Sequence, residues 1–110
     1  MKVEIVDYGD EDNKKFVEYD VFDLSRNQME FLNDNLNEET IIEGNVLKIK
    51  MYFDEILYPF QSEIAKIRID DFIAREEIEM NVFLSGFLED MWLYVVLMVH
   101  VKIYIIIFTY

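Results

Sequence analysis

The amino-acid sequence predicts an α+β domain with an antiparallel sheet of five or six strands and one main helix (about residues 25–37) packed on one face. Three observations lead to this prediction. Several stretches alternate apolar and polar residues, which is typical of half-buried strands. One stretch carries a helix-capping signature. Hydrophobic residues make up 53% of the 110 residues, enough for one core, so we expect residues 1–110 to form a single domain.

The first two predicted strands form a hairpin. Val3 and Ile5 share one face of a strand over residues 1–8, and residues 16–22 alternate between apolar and acidic side chains. The residues between them, 9–13, are of types that tolerate unusual backbone angles or bond to their own backbone. The two strands are therefore expected to pair across a tight turn.

The main helix is predicted from a capping box followed by apolar residues at helical spacing. Ser25 and Gln28 are three residues apart, so the serine hydroxyl can accept from the third helical amide while the glutamine reaches back. Met29, Leu32 and Leu36 follow at intervals of three and four, which places them on one side of a helix. The asparagine-rich stretch after them is expected to end the helix.

Three further strands are predicted before the last twenty residues. Apolar and polar side chains alternate over residues 47–53, 65–70 and 77–84. Pro59 interrupts the pattern and predicts a loop between the first two of these strands. A single helical turn is expected over residues 70–76.

The last twenty residues are nearly uncharged and apolar. Every odd position from residue 95 to residue 107 is aliphatic, which predicts a strand from about residue 95. Twenty extended residues would reach ~66 Å, longer than a domain of this size, so the alternatives are a bend, a short helix before the strand, or pairing with a second copy. Pairing would make a homodimer with the self-association residues Val99, Val101, Ile103, Ile105 and Ile107.

A membrane anchor is the other interpretation of this segment, because about 20 apolar residues can span a bilayer as a helix. His100 and Lys102 would then lie near the membrane centre, where a lysine costs roughly 2.5–3.5 kcal/mol. Glu89 and Asp90 precede the segment, where basic residues are usual. The sequence therefore favours the strand, and no membrane partner is expected.

The charge of the chain indicates what kind of partner it binds. Ten basic residues oppose 23 acidic ones, for a net charge of −13, and residues 1–43 alone hold 13 acidic and four basic residues. Such a surface repels nucleic acid and attracts basic proteins.

The absence of cysteine fits a reducing compartment, and residues 1–7 lack the pattern of a secretory signal. We therefore expect a cytoplasmic protein (in the host cytoplasm, if it is viral) that does not bind nucleic acid directly.

No set of catalytic or metal-ligating residues stands out in the sequence. His100 is the only histidine and cysteine is absent, so a transition-metal site lacks its preferred ligands. The acidic turn at residues 10–12 lacks the glycine and the distal glutamate of a calcium loop, and the three glycines are too far apart to form a phosphate-binding loop. We expect no catalytic residue, no metal and no cofactor, and hence a protein that is not an enzyme.

The predicted function is that of a binding protein that occludes a basic partner, such as a nuclease or a nucleic-acid-binding complex, by acidic complementarity or by mimicry of nucleic acid. By composition alone the chain resembles small acidic inhibitors, including viral anti-CRISPR proteins and the immunity or antitoxin proteins that cap basic toxins. The alternative is a structural subunit that assembles through its C-terminal strand. The residues expected to contact the basic partner are Asp10, Glu11, Asp12, Glu18, Asp20, Asp23, Glu30, Asp34, Glu38 and Glu39.

Overall fold

The computed structural model has an α+β architecture, a four-stranded antiparallel sheet with helices on one face. It describes the backbone of residues 1–108 and the side chains of residues 1–93, 96 and 97. The elements in chain order are β1 (Lys2–Glu11), β2 (Lys14–Phe22), α1 (Arg26–Asn35), β3 (Glu39–Glu43), β4 (Val46–Phe53), α2 (Glu63–Ile67) and α3 (Ile69–Phe108). Across the sheet the strands lie in the order β1-β2-β4-β3. The predicted fold class is confirmed at this level.

The predicted hairpin is formed by β1 and β2, which pair antiparallel with Tyr8 opposite Val17. Asp12 and Asn13 make the turn, with φ angles of 50° and 66° in the left-handed region. Aspartate and asparagine enter this region more readily than other non-glycine residues, because their short polar side chains can bond to the nearby backbone. The residue types at the turn thus account for the hairpin.

The predicted capping box begins α1. The Gln28 amide donates to Ser25 Oγ at 3.1 Å, and the Ser25 amide donates to Gln28 Oε1 at 2.9 Å. Two backbone donors that the first helical turn leaves unpaired are thereby satisfied. Met29 and Leu32 turn inward from the helix, and Leu36 caps its end as a buried residue. The predicted helix is confirmed, although it ends about two residues earlier than predicted. It is not the main helix of the fold, because α3 is longer.

The hydrophobic core lies between one face of the sheet, here called the inner face, and the helices α1 and α3. Alternate residues of the two central strands point into it: Val17, Tyr19, Val21, Leu47 and Ile49. Met29 and Leu32 of α1, together with Met80 and Leu84 of α3, cover these residues. The helices therefore protect the inner face from water, while the opposite, outer face carries the polar residues of the same strands.

Three predicted strands are wrong. Residues 65–67 lie in α2 and residues 69–70 in α3, with a turn residue between them, and residues 77–84 and 95–108 lie in α3. The predicted single helical turn at residues 70–76 is part of α3. The sheet accordingly has four strands rather than five or six, and one of these, β3, was not predicted.

The alternation at residues 77–84 misled because a helix also places residues four apart on one side. Met80 and Leu84 are 5% and 0% exposed, whereas Ile78 and Val82 are 66% and 67% exposed. A strand would have buried all four side chains on one face. The observed burial is that of a helix packed along one side.

The helix α3 continues to Phe108, so the C-terminal strand through which a second copy was expected to pair is not formed. In the part of the chain whose side chains are described, no helical stretch is long and apolar enough to cross a lipid bilayer. The side chains of the predicted self-association residues lie outside the described residues: Val99, Val101, Ile103, Ile105 and Ile107.

Candidate functional site

Several predicted partner-binding carboxylates on the outer face of the sheet are already paired with lysines of β4. Lys48 Nζ lies 3.1 Å from Asp20, whose side chain is only 16% exposed. Lys50 contacts Glu11 and lies 3.5 Å from Glu18. The hydrogen bond from Lys50 to Glu11 raises the pKa of the lysine above its ordinary value. These carboxylates are therefore less available to a cation from another molecule.

Two more predicted residues have cationic neighbours of their own. Lys15 Nζ lies 2.7 Å from Asp10, and Arg26 Nε lies 3.1 Å from Glu30 on α1. Because these pairs are exposed to solvent, each contributes at most about 1 kcal/mol to stability. Among the described residues, the predicted carboxylates that stand outside ion pairs are Asp12, Asp23, Asp34, Glu38 and Glu39.

The sheet divides the predicted residues between its two sides. Glu18 and Asp20 point outward from β2, whereas Glu30 and Asp34 lie on α1, which covers the inner face. Residues 10–12 lie at the turn between β1 and β2. The remaining predicted residues lie in the connections around α1 or at the start of β3: Asp23, Glu38 and Glu39.

A cavity of about 170 Å³ between the inner face of the sheet and α3 combines carboxylates with apolar walls. We call it the Tyr19 pocket. The strands contribute Tyr19 from β2 and two residues of β4 that share its face, and α3 contributes four residues at spacings of three, four and seven, which place them on one side of the helix. Its lining residues are Tyr19, Met51, Phe53, Glu76, Glu79, Met80 and Phe83.

Tyr19 lines this pocket with its phenol group, although the residue is only 1% exposed to solvent. In the described part of the chain, no buried side-chain nitrogen or oxygen atom is left without a hydrogen-bond partner, and the Tyr19 hydroxyl is no exception. Burial, and after it the carboxylates of Glu76, Glu79 and Glu38, raise the pKa of Tyr19 well above its ordinary value. The phenol therefore keeps its proton at neutral pH and can both donate and accept a hydrogen bond inside the pocket.

The two glutamates of the pocket are close enough to perturb each other. Burial and the neighbouring Glu79 raise the pKa of Glu76 to about 7, while Arg75 partly opposes the change. Glu79 keeps an ion pair with Arg75, in which the nitrogen and oxygen are 3.5 Å apart. Near neutral pH, a large fraction of Glu76 is therefore protonated, and a cation in the pocket would favour its charged form.

The pocket favours an organic cation as ligand. Its two carboxylates attract the positive charge, and its aromatic rings, phenol and thioethers contact the apolar or flat surface of the cation. Among the residues with described side chains, no three acidic or imidazole groups converge so as to hold a metal ion. That the protein uses no cofactor and is not an enzyme stays a prediction.

The sequence interpretation missed this pocket. It placed residue 79 on the solvent side of a strand and did not single out residue 76. The signal that would have found the pocket is the helical spacing of Glu76, Glu79, Met80 and Phe83, which brings two acids and two apolar residues to one side of α3.

A comparison with protein-family profiles gives a match. The profile described as a family of unknown function (DUF5750) matches residues 2–90, which include the sheet and the whole Tyr19 pocket. No curated protein matches the chain. Because the profile covers most of its length, the chain belongs to the DUF5750 family.

Proposed function

We propose that this protein is a small acidic binding protein that occludes the cationic surface of a basic partner, namely a nuclease or a nucleic-acid-binding complex. The observation that supports the proposal is the surplus of carboxylates that remains beside the chain's own ion pairs, for a net charge of −13. Most of the basic residues are used internally. Those in ion pairs are Lys2, Lys15, Arg26, Lys48, Lys50, Lys66 and Arg75.

An excess of this kind acts first on the rate of encounter. The field of the unneutralised carboxylates attracts a cationic surface and is screened over about 8 Å at physiological salt, so association is fast and salt-dependent. On contact, the carboxylates accept charge-assisted hydrogen bonds from arginine and lysine. Since a nuclease or nucleic-acid-binding protein holds phosphates with the same side chains, binding of this protein and binding of nucleic acid exclude each other.

The distribution of the carboxylates favours occlusion over mimicry of a continuous phosphate row. Duplex DNA presents one charge per ~1.7 Å along a single axis, whereas Glu18 and Glu30 lie on opposite sides of the sheet. An immunity or antitoxin function, in which the partner is a basic toxin, uses the same chemistry and is covered by the same experiment.

The proposal is tested by capture followed by competition. The immobilised protein is incubated with nuclease-treated lysate at about 50 mM and about 500 mM salt, and retained proteins are identified by mass spectrometry. We expect a basic nucleic-acid-binding protein to be retained at low salt and released at high salt. The retained protein is then purified, and its binding to labelled DNA or RNA is measured while this protein is added. Loss of nucleic-acid binding at equimolar amounts is the expected result.

Two matched variants separate a defined surface from overall charge. Asp34→Asn with Glu38→Gln neutralises two predicted contact residues, and Glu55→Gln with Glu89→Gln removes the same charge elsewhere. Weaker capture by the first variant alone supports a local surface. The proposal is refuted if no basic protein is retained at low salt, or if the retained protein binds nucleic acid equally well in the presence of this one.

A further inference from the structure

We propose that the Tyr19 pocket receives one arginine side chain of the basic partner, an inference that rests on the proposed function and assigns its central contact. The pocket combines apolar and acidic side chains, and its volume of about 170 Å³ is sufficient for one side chain. Each part of the pocket matches a part of the arginine side chain.

The apolar wall of the pocket suits a flat cation. Phe53 comes from the sheet and Phe83 from α3, so aromatic rings border the cavity from two elements, with Met51 and Met80 beside them. Phe83 is 45% exposed, so its ring is accessible from solvent. A guanidinium group stacks on aromatic rings and is more weakly hydrated than an ammonium group, so arginine enters such a cavity at a lower cost than lysine.

The polar end of the pocket supplies acceptors for the five N–H groups of a guanidinium. The carboxylates of Glu76 and Glu79 can each accept from it, and a planar guanidinium can bind one carboxylate with two parallel hydrogen bonds. Tyr19 also lines the pocket, and its phenol oxygen can accept a hydrogen bond. A guanidinium N–H could therefore donate to this oxygen as well as to the carboxylates.

Protonation of Glu76 makes the binding depend on pH. The groups that act on Glu76 are Glu79 and Arg75 from α3, and Tyr19 of β2 is close enough for Glu76 to perturb it. Glu38, from the connection before β3, acts on Tyr19. A bound guanidinium favours the charged form of Glu76, so binding releases a proton when the pH lies near 7. Affinity for arginine is therefore expected to rise as the pH rises from about 6 to about 8.

The test uses three capped tripeptides with arginine, lysine or citrulline between two glycines. Citrulline keeps the shape of arginine but carries no charge. Each peptide is titrated into isotope-labelled protein, and the aromatic and methionine methyl signals are followed by two-dimensional NMR. We expect the arginine peptide to shift the signals of Tyr19, Phe53, Phe83 and Met80 with a dissociation constant of about 1–10 mM. The lysine peptide should bind about threefold more weakly, and the citrulline peptide should leave these signals unchanged.

Variants identify the pocket as the site of these shifts. Tyr19→Phe removes only the hydroxyl, and Glu79→Gln removes one charge together with its ion pair to Arg75. Each variant should bind the arginine peptide about fivefold more weakly. Glu55→Gln removes an equal charge outside the pocket and should leave the affinity unaltered. The NMR spectra of the free variants show at the same time that each is folded.

The possible outcomes separate this inference from the proposed function. Shifts confined to residues outside the pocket, equal binding of citrulline, or tighter binding of lysine would overturn the assignment of an arginine site. The proposed function would survive those results if a basic protein is still captured and loses its nucleic acid. If no basic protein is captured and the arginine peptide shifts no signal, both proposals are refuted.

Discussion

Replacing Glu76 by glutamine removes a carboxyl group whose pKa is raised to about 7 by burial and by the neighbouring Glu79. In the unfolded chain the same group titrates near its ordinary value of 4.5. Between these pH values the folded protein binds more protons than the unfolded chain, so its stability falls as the pH rises from about 4.5 through about 7. The stability that the Glu76 carboxyl contributes is fully present below that pH range and is lost above it. Glutamine does not titrate, so the variant lacks this dependence on pH.

The size of the effect follows from the difference between the two pKa values. A change from 4.5 to about 7 corresponds to an upper limit of roughly 3 kcal/mol, at about 1.4 kcal/mol per pKa unit. Glu76 is only half-buried, so solvent screening reduces the expected value to about 1 kcal/mol. When the pH is raised from acidic to alkaline values, the free energy of unfolding of Glu76→Gln should therefore fall by about 1 kcal/mol less than that of the unaltered protein.

The measurement is urea unfolding followed by circular dichroism at about pH 5 and about pH 8.5, analysed as the difference between variant and unaltered protein at each pH. Glu89→Gln is the matched control, because Glu89 is an exposed residue of the same helix. Its difference from the unaltered protein should be the same at both pH values. If Glu76→Gln behaves like this control, Glu76 is not perturbed and the electrostatic description of the Tyr19 pocket is wrong.

Three further substitutions test the parts of the fold that position the pocket. Leu32→Ala leaves a cavity at a fully buried position of α1 and should lower the free energy of unfolding in urea by about 2–5 kcal/mol. A loss below about 1 kcal/mol would contradict the described core. Ser25→Ala removes the acceptor of the Gln28 amide and should cost about 1 kcal/mol in the same assay, most of which Ser25→Asp should restore. Glu77→Ala removes the carboxylate that accepts a hydrogen bond from the Ile5 amide at 2.8 Å. Hydrogen exchange at that amide should therefore become about tenfold faster. An unchanged exchange rate would show that the contact is not made in solution.

The elements that the sequence predicts correctly each have a signal within a few residues. The turn at residues 9–13, the capping box at Ser25 and the alternation over residues 47–53 reflect local backbone and side-chain preferences, and the structure contains all three. The strand β3 has no such signal. Ile41 and Ile42 are adjacent, so the sequence shows no alternation, although Ile41 is 63% exposed and Ile42 is partly buried. Pairing with β4, which is a tertiary interaction, determines this strand.

The helix α3 was missed because strand and helix patterns share the spacing of four residues. Met80 and Leu84 satisfy both patterns, and only the neighbours at longer range distinguish them. Ile73 and Leu88 pack against the same core, seven residues before Met80 and four after Leu84. An odd spacing such as seven places residues on opposite faces of a strand but on one side of a helix, so the interval from Ile73 to Met80 is the observation that would have decided between them.

The same helical spacing explains why the Tyr19 pocket is the strongest candidate site in the described part of the chain. An ordinary helix on the core carries apolar residues along its inner side, but α3 carries Glu76 and Glu79 next to Met80 and Phe83. A carboxyl at residue 76 lowers stability near neutral pH, and an uncharged residue there would remove this loss. Departures from local stability rules are expected where function requires them. A guanidinium from a partner would offset the loss. The pH dependence of unfolding and the arginine titration therefore test one arrangement from its two sides: the free energy lost without a cation and the free energy recovered with one.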